Sequence, residues 1–108
     1  MTRVVVTDTA RADLDDLIRT HRLPASTRVR VRASLVQLNT FPLIGRGLLG
    51  RWAAFRVVLG PWPWMLVVYS YDEGIDEVAI ITIQDSRTAR AATTEVPSPV
   101  PGTGLEQR

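Results

Sequence analysis

Trp64-Met65-Leu66-Val67-Val68-Tyr69 is the stretch on which the reading of this chain turns. It is an apolar run of strand length, rich in β-branched and aromatic side chains. Turn residues close it on both sides, Gly60-Pro61-Trp62-Pro63 before it and Glu73-Gly74-Ile75-Asp76 after Asp72. The neighbouring segments Trp52 to Leu59 and Glu77 to Gln84 read as strands too, so Trp64 to Asp72 is expected at the centre of a sheet of three consecutive hairpin-linked strands. An apolar segment at a sheet centre needs cover, and the residues upstream are placed to supply it.

Arg3-Val4-Val5-Val6-Thr7 is a short β-branched run expected as a further strand of that sheet. Asp8 or Thr9 then offers a helix cap, and Ala10, Leu14, Leu17 and Ile18 recur along one helical face until Leu23-Pro24 stops it. The next segment, Ala25 to Thr40, holds a conflict. Arg28-Val29-Arg30-Val31-Arg32 alternates as a strand would, whereas its length, the capping Ser26 and the continuation Ala33 to Asn39 favour a helix. As a helix it is apolar on two sides, with Val29, Ala33 and Val36 on one and Val31, Leu35 and Leu38 on the other. Such a helix packs against a sheet and also against a second helix or a partner. Phe41 to Gly50 is a Pro- and Gly-punctuated loop, and the order β-α-α-β-β-β gives an α+β fold, an antiparallel sheet with a helical hairpin on one face.

With 108 residues there is room for one domain, expected over residues 1–92. Residues 93–108, rich in Pro, Ser, Thr and Gly, are expected to be disordered or ordered by a partner. Cysteine is absent, which removes disulfides, thiolate nucleophiles and cysteine metal sites. There is neither an apolar run of membrane-spanning length nor a signal-peptide pattern, so the expected location is the cytoplasm. The carboxylates of Asp72, Glu73, Asp76 and Glu77 lack the spacing of a calcium loop, and no phosphate-cradling Gly motif is present, so no metal or cofactor is expected. All thirteen basic residues are arginine, at a net charge of only +2. A small net charge argues against wholesale coating of nucleic acid. The guanidinium fork nevertheless suits phosphate and carboxylate, unless the bias reflects codon preference alone.

The element order, with Ala12-Asp13-Leu14 and Ile18 in the first helix, Pro42 and Gly45-Arg46 after the second, Arg56 within Phe55-Arg56-Val57-Val58, the Pro-aromatic-Pro approach to Leu66-Val67-Val68-Tyr69, and Gln84-Asp85-Ser86-Arg87 closing the last strand, resembles the RelE/ParE superfamily of type II toxin-antitoxin toxins over residues 3–90. The resemblance implies a small bacterial toxin in a hetero-oligomer with a cognate antitoxin that wraps it. RelE-like members are ribosome-dependent mRNA endoribonucleases, and ParE-like members bind and poison DNA gyrase. Relative to the RelE-like pattern, Arg56 and Arg87 stand at cationic positions, whereas Val58 and Leu66 (or Met65) stand where cations are usual, and Gln84 stands where a histidine is common.

Cleavage of RNA by side chains alone needs a base, a cation on the phosphate and an acid. Arginine makes a poor base, and the one histidine, His21, reads as a surface residue at a helix end. The sequence therefore points first to a ParE-like gyrase-binding toxin, with a RelE-like nuclease acting on ribosome and mRNA as the alternative, and a member that binds only antitoxin as a third reading. Arg56 and Arg87 are the candidate catalytic residues if the chain is an enzyme, expected to converge on an uncovered sheet face. Arg46, Arg51 and Arg90 are expected at its rim, and Trp62 in its turn as an exposed anchor for target or antitoxin.

Overall fold

The structure is a computed structural model and describes residues 1–88 and 91–94. In chain order the elements are β1 (Arg3–Val6), α1 (Asp8–His21), α2 (Thr27–Leu35), α3 (Gln37–Thr40), β2 (Arg46–Gly47), β3 (Arg56–Leu59), β4 (Met65–Asp72) and β5 (Glu77–Asp85), with short 3₁₀ turns at Gly50–Trp52 and Ala92–Thr94. The sheet order is β1-β5-β4-β3-β2, which puts the apolar run of β4 at the centre as its composition requires. Strands β2 to β5 pair antiparallel, whereas β1 joins the far side of β5 in parallel. The α1–α2 hairpin intervenes between β1 and the rest, which makes room for the crossover a parallel pair demands.

Both faces of β4 are buried. Met65, Val67 and Tyr69 point to the helices and join Ala10, Leu14, Val31, Leu35 and Leu38 in one core. Leu66 and Val68 point the other way, into a second core with Leu48, Val57, Ala91 and Ala92, flanked by Trp52 and Phe55. Period-two alternation with both sets apolar leaves no open face at the sheet centre. The uncovered, guanidinium-lined face expected from the sequence is therefore replaced by a layer made of residues 48–55 and the chain returning at Ala91 and Ala92.

Within Ala25 to Thr40 the chain is helical from Thr27, broken at Val36 into α2 and α3. Val31, Leu35 and Leu38 are buried, which accounts for one of its two apolar sides, while Val29 and Val36 stay exposed. Capping of α1 falls to Thr7, whose hydroxyl accepts from the Ala10 N–H and donates to the Ile80 carbonyl. At the far end Arg22 takes a left-handed φ of 51° and closes the helix onto the Ile18 carbonyl. A bulge between Val68 and Tyr69 leaves an extra residue on β5, and Asp13 of α1 accepts from the Ile83 N–H and the Thr82 hydroxyl beside it. The loop before β2 is pinned by Tyr69, whose phenol oxygen accepts the Gly45 N–H at 2.9 Å.

That close approach is why residue 45 is glycine. A Cβ there would lie 2.6 Å from the Tyr69 oxygen and 2.9 Å from the Val57 carbonyl oxygen, and the latter, as backbone, yields little. We expect Gly45→Ala to cost about 1–3 kcal/mol. In a domain of this size that lowers Tm by at least about 4 °C in a calorimetric scan, and an unchanged Tm would refute the packing argument.

Candidate functional site

Each sequence candidate except Arg90 has a definite place. Arg56 lies opposite Tyr69 across the β3–β4 ladder, and its guanidinium donates to the carbonyls of Gly45, at 2.8 Å, and Leu43. It clamps the loop before β2 onto the sheet rather than standing free. Arg87 lies beyond β5, near the start of β4, because Asp85 is paired with Met65. Tyr69 and Met65 are four residues apart, so about 13 Å of strand separates the two arginines' neighbourhoods. They do not converge, which corrects the expectation of one shared patch.

Arg46 is exposed on β2 opposite Val57. Arg51 is exposed in the turn before β3, its guanidinium 6.0 Å from the Trp52 ring. Arg90 and the segment from Glu95 onward lie outside the described residues. Trp62 is half-buried rather than an exposed anchor: it stacks on Trp64 at 6.2 Å and lies under the Arg30 guanidinium at 4.7 Å.

The constellation that does form is built around Asp85. Its carboxylate accepts from the Arg87 Nε at 2.8 Å, the Arg87 Nη2 at 2.8 Å and the Arg87 backbone N–H at 2.9 Å. The same carboxylate lies 3.2 Å from His21 Nε2. Trp64 supplies the wall, with the His21 ring at 4.7 Å and the Arg87 guanidinium at 4.9 Å from its ring. Beside them is an open cleft of about 450 Å³ lined by Asp13, Asp16, Thr20, His21, Gln84, Asp85 and Thr88.

The electrostatics follow from the contacts. Hydrogen bonds from Arg87 hold the Asp85 carboxyl down at about 2, helped by the Arg87 and His21 charges and opposed by partial burial. Burial raises the Tyr69 phenol, against the Gly45 N–H and the Arg56 charge, and Tyr69 is fully buried, so it is a packing residue and not a surface acid. Asp76, in the β4–β5 turn, is lowered by the Thr2 and Tyr71 hydroxyls and ties the N-terminus to that turn.

Chemically, the group combines an imidazole beside a carboxylate with a guanidinium that spends two of its N–H positions on the same carboxylate. Nε2 of His21 is the ring nitrogen that lies 3.2 Å from Asp85, and Nδ1 is the other nitrogen of the ring. Sequence reading undervalued His21, because its partners Trp64, Asp85 and Arg87 sit on distant segments and no local spacing links them. The one available sign was the departure at Gln84, next to the acid that orients the site.

No family model matches the sequence, and no curated protein matches it either. Solved structures do. The toxin-antitoxin complex RelBE2 from Mycobacterium tuberculosis contains a chain 26% identical, with a TM-score of 0.54 over 78% of this chain and 96% of that one. The fold is that of RelE-type toxin-antitoxin toxins. A copper-bound toxin variant from Helicobacter pylori superposes with a TM-score of 0.58 at 20% identity, covering 79% of this chain and 94% of its own. YafQ from E. coli does so at 0.58 and 12% identity, covering 84% and 100%. The RelE/ParE-type resemblance thus has structural support, while the leaning toward ParE-like members gains none from these RelE-like neighbours.

The low Asp85 value makes a pH prediction. A carboxylate depressed in the folded state stabilises the fold above its unfolded value, near pH 4, and loses that contribution as pH falls toward about 2. Wild type should therefore melt above Asp85→Asn at pH 6, and the gap should close on acidification to pH 2. A pH-independent gap would mean that the Asp85 charge contributes nothing.

Proposed function

We propose that the chain is a RelE-like toxin: an endoribonuclease that cuts mRNA at the ribosome and is held silent by a cognate antitoxin. The observation that carries this is the His21–Asp85–Arg87 group, of which His21 and Asp85 line an open cleft. In this reading His21 Nδ1 takes the proton of a ribose 2′-hydroxyl. The 2′-oxygen then bonds to phosphorus as the bond from phosphorus to the 5′-oxygen breaks, and a water molecule protonates the leaving 5′-oxygen. Arg87, anchored by Asp85 through Nε and Nη2, keeps its other terminal nitrogen for the phosphate oxygens, where charge builds in the transition state. Arg56 serves the fold instead, by holding the loop that Gly45 closes. The antitoxin partner is supported by the complex in which the RelBE2 neighbour was solved.

Expression of the chain alone, with mapping of mRNA 5′-ends on ribosomes, tests the reading. Growth should stop and new ends should appear. His21→Gln and Arg87→Ala should each reduce cleavage about 100-fold or more; His21→Gln should leave the thermal melt close to wild type, whereas Arg87→Ala should lower it at pH 6 much as Asp85→Asn does, since both remove the same ion pair. Arg56→Ala should also lower Tm, since it frees the Gly45 and Leu43 carbonyls. Growth arrest with intact mRNA and gyrase-dependent DNA breaks would return the ParE-like reading, and no growth defect would leave only antitoxin binding.

A further inference from the structure

Between α1, α2 and β1 lies a cavity of about 560 Å³. Val4 and Val6 of β1, Leu14 of α1, and Val31 and Leu35 of α2 line it, and all five belong to or pack against the core on the helix side of the sheet. Well-packed interiors hold few voids larger than a water molecule, so a space of this volume is more than a packing defect between layers. It falls in the range of about 300–1,000 Å³ typical of small-molecule sites, whose walls are mainly apolar with a few polar groups to fix orientation. Leu14 and Asp15 line this cavity, whereas Asp13, Asp16 and Thr20 line the cleft beside His21, so α1 separates the two.

Charged side chains, all of them exposed, share the lining with the apolar ones: Arg11 and Asp15 on α1, Arg28 and Arg32 on α2. Asp15 and Arg28 pair with each other at 2.5 Å and so link the two helices. Arg11 and Arg32, one from each helix, have no carboxylate partner among the described residues. Three guanidinium groups against one carboxylate leave an excess of positive charge on the exposed part of the lining, while the buried part is hydrocarbon. The cavity is therefore amphipathic, with an apolar interior and a cationic mouth.

That division selects the occupant. A folded partner, a second copy of this chain included, needs breadth, about 800 Å² a side, whereas this space offers depth between three elements. Nucleic acid would bring phosphates to the arginines and nothing to the apolar walls. An aliphatic chain with an anionic head meets both parts, because the chain leaves water against Val and Leu side chains and the head meets a guanidinium fork. Asp15 in the same lining disfavours a dianionic phosphate head and leaves a carboxylate as the better fit. We propose that the cavity between α1, α2 and β1 binds a medium-chain aliphatic carboxylate, its chain against Val4, Val6, Leu14, Val31 and Leu35 and its head on the guanidinium groups of Arg11 and Arg32. The site stands whether or not the His21–Asp85–Arg87 group cuts RNA.

Titration calorimetry of the full chain with hexanoate, octanoate and decanoate, each below its micelle-forming concentration, tests the proposal. Affinity should rise about fourfold with each added methylene, as more of the chain leaves water. Decyltrimethylammonium, with the same chain and the opposite charge, should bind at least about tenfold more weakly than decanoate, and decyl phosphate should not exceed it. Val6→Phe, which fills part of the cavity, should weaken decanoate about tenfold or more. The double variant Arg11→Glu/Arg32→Glu should favour decyltrimethylammonium over decanoate, a reversal that loss of folding cannot mimic. Absence of saturable decanoate binding, affinity that ignores chain length, tighter binding of decyl phosphate, or a charge preference that the double variant leaves unmoved overturns the proposal. So does binding of an end-blocked apolar peptide but not of decanoate, or self-association of the chain that Val6→Phe abolishes.

Discussion

Burial of β4 on both faces is the constraint from which the rest of the architecture follows. Met65 to Tyr69 are between 0 and 3% exposed. Burying each such side chain stabilises by about 1.5–3 kcal/mol, but only if apolar cover exists above and below the sheet. Above, α1 and α2 supply it. Below, the described residues that cover it are those around Leu48, Trp52 and Phe55 together with Ala91 and Ala92, fastened by the Ala92 N–H on Gln84 Oε1 at 2.7 Å. The site sits where these layers end. Because β4 is fully committed to packing, polar chemistry is confined to the strand termini, and Asp85, opposite the first residue of β4, is at such a terminus.

What was legible in the sequence is what depends on local periodicity. The central strand, the first helix and the α+β order all follow from apolar spacing, and even the ambiguous Ala25 to Thr40 resolves once both of its apolar sides are taken seriously. Its strand-like Arg-Val alternation gives way because Val31, Leu35 and Leu38 have a sheet to lie on, so tertiary packing decides. Strand beginnings were less legible: β3 starts at Arg56, not Trp52, because Gly50–Trp52 winds into a 3₁₀ turn. The parallel pairing of β1 with β5 was not legible at all, since it joins Arg3 to Glu77 across most of the chain.

The site was legible in its parts and not in its assembly. Arg87 and Arg56 were both singled out from their positions, yet one orients with an acid and the other clamps a loop. What separates them is the partner each finds: a carboxylate for Arg87, backbone carbonyls for Arg56. His21 looked like an unremarkable helix-end residue because its value comes from Trp64 and Asp85, and long-range contacts leave no trace in spacing. Trp62 failed in the opposite sense. A tryptophan between two prolines looks exposed, but Trp64 and Arg30 close over it.

The arginine-only composition can now be divided by role, and the division argues against codon preference as its whole explanation. Arg87 forms a fork on Asp85, Arg56 spans two carbonyls, and Arg30, Arg51 and Arg87 lie near aromatic rings. Forking and flat stacking need a planar group with several fixed donors, which lysine lacks. At Arg87 the two uses coincide: one edge of the guanidinium holds Asp85 while its face rests on Trp64. A lysine there would reach one carboxylate oxygen at a time and leave His21 with a mobile acid, so the geometry of the site depends on the shape of the guanidinium as much as on its charge.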